Sequence, residues 1–259
     1  MSRKSSAVRP LMAALLAASL AASFPPFVSA EARKTPPSND TITHQQADEI
    51  IQELRDIKAL LQRVTTPQPA APQAPQSVTL PPVTGYMLGS PTAPVTMVEF
   101  TDLQCPFCRQ FHMTAFEEIK KAYIDTGKVR YISLDFPLNI HPLAMAAAEA
   151  EQCAGAQGQF WPMRHTIFLN NATLTPTSFE TFATDLRLDL PKFNACVSAD
   201  TYARQIAKDQ QEGAAAGVSG TPSFVVGRTS ARGLTGVRMV GAQPFAVFDA
   251  EIRSLLAGR

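Results

Sequence analysis

Cysteine, histidine and tryptophan are scarce in this chain: 259 residues hold four cysteines, four histidines and one tryptophan. A zinc centre built on one C-x-x-C pair needs a second pair, or two histidines at matched spacing. Neither is present, because Cys153 and Cys196 stand alone and far from the first pair. His112, four residues past Cys108, is expected to be a partly exposed surface side chain rather than a ligand. An excess of positive charge is also missing. The formal net charge is +1, so no basic face argues for nucleic acid. There is no glycine-rich phosphate loop and no internal repeat. Trp161, the lone tryptophan, reads as core rather than as a cofactor contact. The longest apolar run, Leu11 to Ala22, is too short for a comfortable membrane span. No metal and no cofactor is expected.

What the chain does have is Cys105-Pro106-Phe107-Cys108. An apolar run, Val95 to Phe100, precedes it and reads as a buried strand. Arg109 to Ala122 follows and reads as a helix. Two cysteines three positions apart at a helix start are placed to form and break a disulfide with each other. The first sulfur meets unpaired backbone N–H groups and the positive end of the helix dipole, which favour a thiolate. The thiolate is the nucleophile of disulfide exchange. Pro106 takes the first helical position, where a missing N–H costs nothing.

Farther along, Gly220-Thr221-Pro222-Ser223-Phe224-Val225-Val226-Gly227 sets a proline before a short apolar strand. Interior sheet positions reject proline, so it belongs at the strand start. With this element the chain resembles the thioredoxin superfamily. That resemblance implies a cis peptide before Pro222, lying against the redox pair. It also implies that Thr221 presents backbone and side chain to the first sulfur and to a bound substrate chain.

The stretch Val98-Glu99-Phe100-Thr101-Asp102-Leu103-Gln104-Cys105-Pro106-Phe107-Cys108 narrows the resemblance to the DsbA-like branch, over roughly Val83 to Arg259. The expected fold is α/β: a thioredoxin fold with an inserted helical subdomain, at about 138–205. Members of the branch often carry a buried acid at the place of Glu99. A carboxyl there would have a raised pKa through desolvation and could relay a proton to Cys108. The other reading of Glu99 is a strand-edge side chain facing water.

Arg3, Lys4 and Arg9 precede the apolar run, and Phe24-Pro25-Pro26-Phe27-Val28-Ser29-Ala30 follows it. This is the pattern of a secretory signal peptide, 1–30, with cleavage after Ala30. The expected destination is a bacterial periplasm, where disulfides persist. All four cysteines follow the cleavage site. With Cys105 and Cys108 pairing reversibly, Cys153 and Cys196 can form a structural disulfide. The competing reading is two buried free thiols.

Thr43-His44-Gln45-Gln46 has capping-box spacing, which opens a helix over 41–65. Ala47, Leu54 and Leu61 then fall at heptad position a, and Ile50, Ile57 and Val64 at d. Leucine at a with isoleucine at d shifts preference toward three or four strands. Such a helix is marginal alone, so a parallel coiled-coil homo-oligomer, with a trimer favoured, is expected to cover its stripe. The proline-rich segment 66–82 reads as an extended linker reaching roughly 50 Å at about 3.1 Å per residue.

Elsewhere the spacing predicts one active-site helix from Pro106 to Ile124, ended by Gly127. Val129–Leu134 is a strand parallel to the first. Helices follow at Pro142–Cys153, Phe160–Asn170, Pro176–Leu186, Pro191–Val197 and Ala199–Ala216. A hairpin of Ser223–Val226 with Val237–Val240 and a closing helix, Pro244 to Leu256, complete the layout.

The chemistry expected is thiol:disulfide exchange at Cys105 and Cys108, with Thr221, Pro222 and Glu99 in support. The clients would be unfolded or misoxidised exported proteins, and a membrane protein would be the redox partner. The Phe107 side chain offers the Cys105 thiolate no charge or N–H donor. Thr221 resembles the residue found in disulfide isomerases, and the stalk resembles that of trimeric isomerase-like members linked with copper tolerance. These lean toward an isomerase or reductase. A DsbA-type oxidase is the alternative, and a Cu(I)-binding protein using both thiolates is the alternative from another class.

Overall fold

The structure is a computed structural model that describes residues 43–65 and 76–258. The proposed signal peptide and the first part of the linker lie outside the described residues. Two units are distinguished, one ending at Pro67 and one running from Gln68.

The first unit holds helix α1, His44–Thr65. Thr43 caps it. The Gln46 N–H donates to Thr43 Oγ1 at 3.3 Å, and the Thr43 N–H donates to Gln46 Oε1 at 3.1 Å. Each side chain thus satisfies a backbone donor that has no helical partner. Ile50, Ile51, Leu54 and Ile57 are exposed.

The second unit is built on six strands. They are β1 (Gln76–Leu80), β2 (Tyr86–Leu88), β3 (Val95–Thr101), β4 (Val129–Asp135), β5 (Ser223–Arg228) and β6 (Leu234–Val240). Among the described residues they form one sheet in the order β1-β6-β5-β3-β4-β2. Strand β3 is central. It pairs parallel with β4 and antiparallel with β5, and every residue along it is buried. Side chains alternate across a strand. Val95 and Met97 therefore enter one core while Val98 and Phe100 enter the other.

The first core is closed by α2 (Pro106–Met113), α3 (Ala115–Ile119) and α9 (Phe245–Leu256). They supply Phe111, Phe116, Ile119, Phe248 and Ile252. On the opposite face α8 (Ala203–Ala215) crosses the sheet. Its Gly213 lies so close to Phe100 and Phe136 that an added Cβ would sit 2.8–2.9 Å from their rings. Between β4 and α8 lies the helical insertion: α4 (Ala144–Gly155), α5 (Phe160–Leu169), α6 (Ser178–Asp185) and α7 (Leu190–Ser198). Its core of Ala147, Ala150, Met163, Ile167, Phe168, Phe179 and Phe193 also takes in Cys105 and Cys108.

Two sequence expectations are corrected here. Residues 66–82 are not linker throughout, since Gln76–Leu80 is edge strand β1, in register with β6 from Gln76–Arg238 to Leu80–Leu234. Its Val78 and Leu80 pack on the sheet, which a proline-rich composition just upstream obscures. The helix expected from Pro106 to Ile124 is also not continuous. Thr114 leaves the helical region at φ −130°, ψ −93° while its hydroxyl donates back to Gln110 O at 2.7 Å. That side-chain bond competes with the helical ladder and bends the chain. The final stretch, Lys120–Ile124, widens into a π-turn.

Candidate active site

Strand β3 ends at Thr101, and a turn, Asp102 to Gln104, delivers Cys105 to the head of α2. Cys105 is the N-cap residue, extended at φ −69°, ψ 125°, and its side chain caps no N–H in the reduced state. Pro106 is the first helical residue. The next two N–H groups, of Phe107 and Cys108, are among the donors that a helix start leaves unpaired. They favour charge on the Cys105 sulfur. Both cysteines are free thiols and both are buried, whereas Phe107 between them is 60% exposed.

The two sulfurs differ sharply in acidity. The Cys105 thiol is lowered to about 6, first by the hydrogen bond from Cys108, then by neighbouring Thr221 and the Cys108 and Phe107 N–H groups, against the pull of burial. Cys108 moves the other way. Burial pushes it well up, and the charges of Cys105 and Glu99 add to that. One thiol is therefore a ready nucleophile, and the other holds its proton until it is called on to resolve a mixed disulfide.

Thr221 and Pro222 lie against this pair. The peptide between them is cis, and Pro222 is buried at the start of β5. Cys105 Sγ donates to the Thr221 carbonyl at 3.4 Å. The Thr221 hydroxyl is buried without a partner at hydrogen-bond distance among the described residues, so it is free to turn toward a thiolate.

Glu99 is buried in the middle of β3, and burial raises its pKa. The strand-edge reading is thereby excluded. Its hydrogen bonds, however, go to Tyr131 Oη and to Arg164 Nη1, the latter at 3.2 Å. Among the described residues none reaches Cys108, so Glu99 acts on that sulfur through its charge. Cys108 Sγ instead accepts from the Asp102 N–H at 3.5 Å.

Sequence reasoning missed the partners. Arg164 on α5 is wholly buried and also binds Glu151 on α4, with Nε 2.5 Å from Oε1. Two carboxyls share that one guanidinium. Burial raises both acids, Glu151 to about 8, against the pull of Arg164; burial opposes the charge on Arg164 as well, and Glu151, Tyr131 and Glu99 together outweigh it. The signal for Arg164 was an arginine inside the mostly apolar helix Phe160–Leu169. Asp102 is also buried and bridges two loops; its signal was its place three residues before Cys105.

His112 is a correction. It is buried, stacked on the Phe116 ring at 5.0 Å, and 3.3 Å from His165 across Nε2 and Nδ1. Burial, with Arg164 and His165 nearby, lowers its pKa to about 3, so it is neutral. Phe168, its other ring neighbour, comes from α5, which a local reading of α2 cannot see. Trp161 packs partly buried against the first core. Cys153 and Cys196 form a disulfide of 2.03 Å, spanning 43 residues and tying α4 to α7. Among the described residues, the one cluster of potential metal ligands is Glu149 with these two cysteines, whose sulfurs are spent on each other.

A family described as Thioredoxin matches residues 82–236, more than half of the chain, and the chain belongs to that family. Within it the arrangement is of DsbA type, a thioredoxin fold with an inserted helical region and a C-x-x-C pair. A solved structure of Wolbachia pipientis alpha-DsbA1 superposes with a TM-score of 0.63 at 26% identity, covering 69% of this chain and 94% of that one. Oxidised BdbD from Bacillus subtilis shares the fold, with a TM-score of 0.61 at 22% identity, covering 70% of this chain and 99% of that one. Among curated proteins, a Na(+)/H(+) antiporter NhaA 3 of Salinispora tropica is 33% identical over 164 residues, which are 63% of this chain and 24% of the antiporter. An NhaA 1 of Salinispora arenicola is also 33% identical, over 67% of this chain and 25% of the antiporter. The chain thus spans about a quarter of the length of these curated relatives. Among the described residues no helix is long and apolar enough to cross a membrane.

Proposed function

We propose that this protein is a periplasmic thiol:disulfide oxidoreductase that works chiefly as an isomerase or reductase of misoxidised exported proteins. The observation that carries the reading is the asymmetry of the pair: an acidic Cys105 at the head of α2 against Thr221 and Pro222, over a buried, weakly acidic Cys108. The Cys105 thiolate attacks one sulfur of a client disulfide. A Cys105–client bond forms, the client disulfide breaks, and the departing sulfur leaves as a thiolate and takes up a proton. Attack on the mixed disulfide by another client thiolate rearranges the client with no net change in electrons. Attack by Cys108 instead leaves the client as a dithiol, two electrons richer, and the pair as a disulfide. A membrane redox partner then returns two electrons to the pair.

Net direction follows from how strongly the reduced pair is stabilised. A Cys105 value of about 6 lies nearer to the roughly 7 of thioredoxin than to the roughly 3.5 of DsbA. A mild oxidant can release as well as capture clients. The heptad stripe of α1 supports the same reading. Joined copies, favoured as a trimer, would hold several sites on one client and raise the local concentration of the pair. A DsbA-type oxidase is the second reading. It is favoured by the same lowering of Cys105, because any stabilised thiolate stabilises the reduced form.

Reactivation of scrambled ribonuclease in a glutathione buffer tests this. The full chain should reactivate it, and a Leu54→Glu/Ile57→Glu variant of the α1 stripe should oxidise reduced ribonuclease yet reactivate poorly. If neither protein reactivates and both oxidise dithiols quickly, the oxidase reading replaces the isomerase. Stoichiometric Cu(I) binding with no disulfide exchange would point to the metal-binding alternative.

A further inference from the structure

The disulfide Cys153–Cys196 takes no part in the exchange chemistry above, yet a carboxyl lies against it. Glu149 stands four residues before Cys153 on α4, so the two share a face of that helix. Glu149 Oε1 is 4.0 Å from Cys153 Sγ. Ligand atoms of Glu149, Cys153 and Cys196 all lie within 4.8 Å of one another. Glu149 and Cys153 are buried, whereas Cys196, on α7, is partly buried.

Buried carboxylates are paired with a cation or coordinate a metal. Among the described residues the one hydrogen-bond donor to Glu149 is the Tyr202 N–H, 2.7 Å from Oε1. None of the ion pairs among those residues includes it. The charges that bear on it, Asp200 and Asp135, are both negative. We propose that reduction of Cys153–Cys196 opens a three-ligand site for a zinc-like divalent cation, with Cys153 and Glu149 from α4 and Cys196 from α7.

A dithiol reductant gives two electrons and two protons, the S–S bond breaks, and two thiols form. Binding the cation then expels both thiol protons, because the thiolate is the ligand. The spacing suits a tetrahedral ion. Metal–sulfur bonds of about 2.3 Å and a metal–oxygen bond of about 2.1 Å set sulfur about 3.8 Å from sulfur and about 3.6 Å from oxygen. The Cα atoms of Cys153 and Cys196 are 5.9 Å apart, so the freed sulfurs reach that spacing by turning about their own side-chain bonds. The carboxylate oxygen already stands 4.0 Å from one of them. The Tyr202 N–H holds the carboxylate in place, as the hydrogen bonds to ligating carboxylates do. Water completes the fourth position. The hard oxygen selects a borderline divalent ion such as Zn²⁺ over Cu(I), which the soft thiolates alone suit. The ion ties α4 to α7 in the reduced protein, as the disulfide does in the oxidised one.

The test uses a full-length Cys105→Ala/Cys108→Ala protein, whose remaining cysteines are Cys153 and Cys196. Reduced with a phosphine and titrated with Zn²⁺ against a chromophoric chelator, it should bind the ion stoichiometrically. Co²⁺ in its place should show thiolate-to-metal charge-transfer absorption. The oxidised protein should bind neither. Zn²⁺ should also raise the urea midpoint of the reduced protein, because a ligand of the folded state stabilises it. Glu149→Gln keeps an acceptor for the Tyr202 N–H and removes the charge. Its affinity should fall about tenfold or more, at least the loss that follows removal of an outer-shell partner. Cys196→Ser, added to the same protein, should abolish binding. Absence of stoichiometric binding after reduction overturns the site, as does equal binding before reduction or equal affinity in Glu149→Gln. A urea midpoint that Zn²⁺ leaves unmoved or lowers overturns it too, since the ion is then held by the unfolded chain.

Discussion

Arg164, carried by α5 of the insertion, donates to Glu99 in the middle of the central strand, and neither side chain reaches solvent. The same guanidinium holds Glu151 of α4 and the Ser133 hydroxyl of β4. One cation thereby joins the inserted helices to the sheet directly beneath the redox pair, and it offsets the acid whose charge bears on Cys108.

Arg164→Met should be strongly destabilising. Removing one partner of a buried ion pair leaves the other uncompensated and costs about 3–5 kcal/mol. Burial already raises Glu99 and Glu151, and without the cation both would rise further, so the loss should be smaller in mild acid and larger in mild base. Urea unfolding of the variant at both pH values checks this; equal losses would show that the acids do not depend on Arg164.

Asp209 on α8 accepts from the Asp135 N–H and from Gln205. Burial first, then Asp135, raises it to about 7. A carboxyl raised above its unfolded value contributes stability that is complete below the unfolded pKa and is lost as pH rises through the folded one. Stability should therefore decline between roughly pH 4 and 7 on this account. Asp209→Asn should flatten that decline and be the more stable protein above neutrality. Gln205 can turn its amide to suit the new side chain. Urea midpoints across the range would show it.

Replacing both Cys153 and Cys196 with serine opens a 43-residue loop. The chain-entropy model puts the loss at about 3–4 kcal/mol. The midpoint of urea unfolding should fall accordingly, while alkylation of Cys105 keeps its rate, since the redox pair is separate from this bond.

Cys108→Ala should accumulate mixed disulfides with client proteins through Cys105, because the resolving thiol is gone. A Cys105→Ser/Cys108→Ala protein should trap none. Non-reducing gels followed by identification of the bonded cysteine distinguish the two. Trapping that persists without Cys105 would remove it from the nucleophile's role.

Local chemistry decided much of what the sequence alone could say. The C-x-x-C pair, the proline at Cys105+1 and the apolar run before it place a cysteine at a helix N-cap, because strand periodicity and cap preferences act over a few residues. The capping box at Thr43 and the hairpin of β5 with β6 are legible for the same reason. What the sequence could not decide depends on residues far apart in the chain. Strand β1 exists because β6 offers it an edge, so composition alone left it as linker. His112 is buried because Phe168 and His165 arrive from α5. Thr221 reaches the Cys105 sulfur across 116 positions, a proximity read in advance from family resemblance and not from spacing. Above all, the settings of the pair come from groups that only the fold assembles, Glu99 and Arg164 among them. A sequence names the side chains that can ionise, but their acidity is set by burial and by the charges a few ångströms away, which tertiary packing supplies.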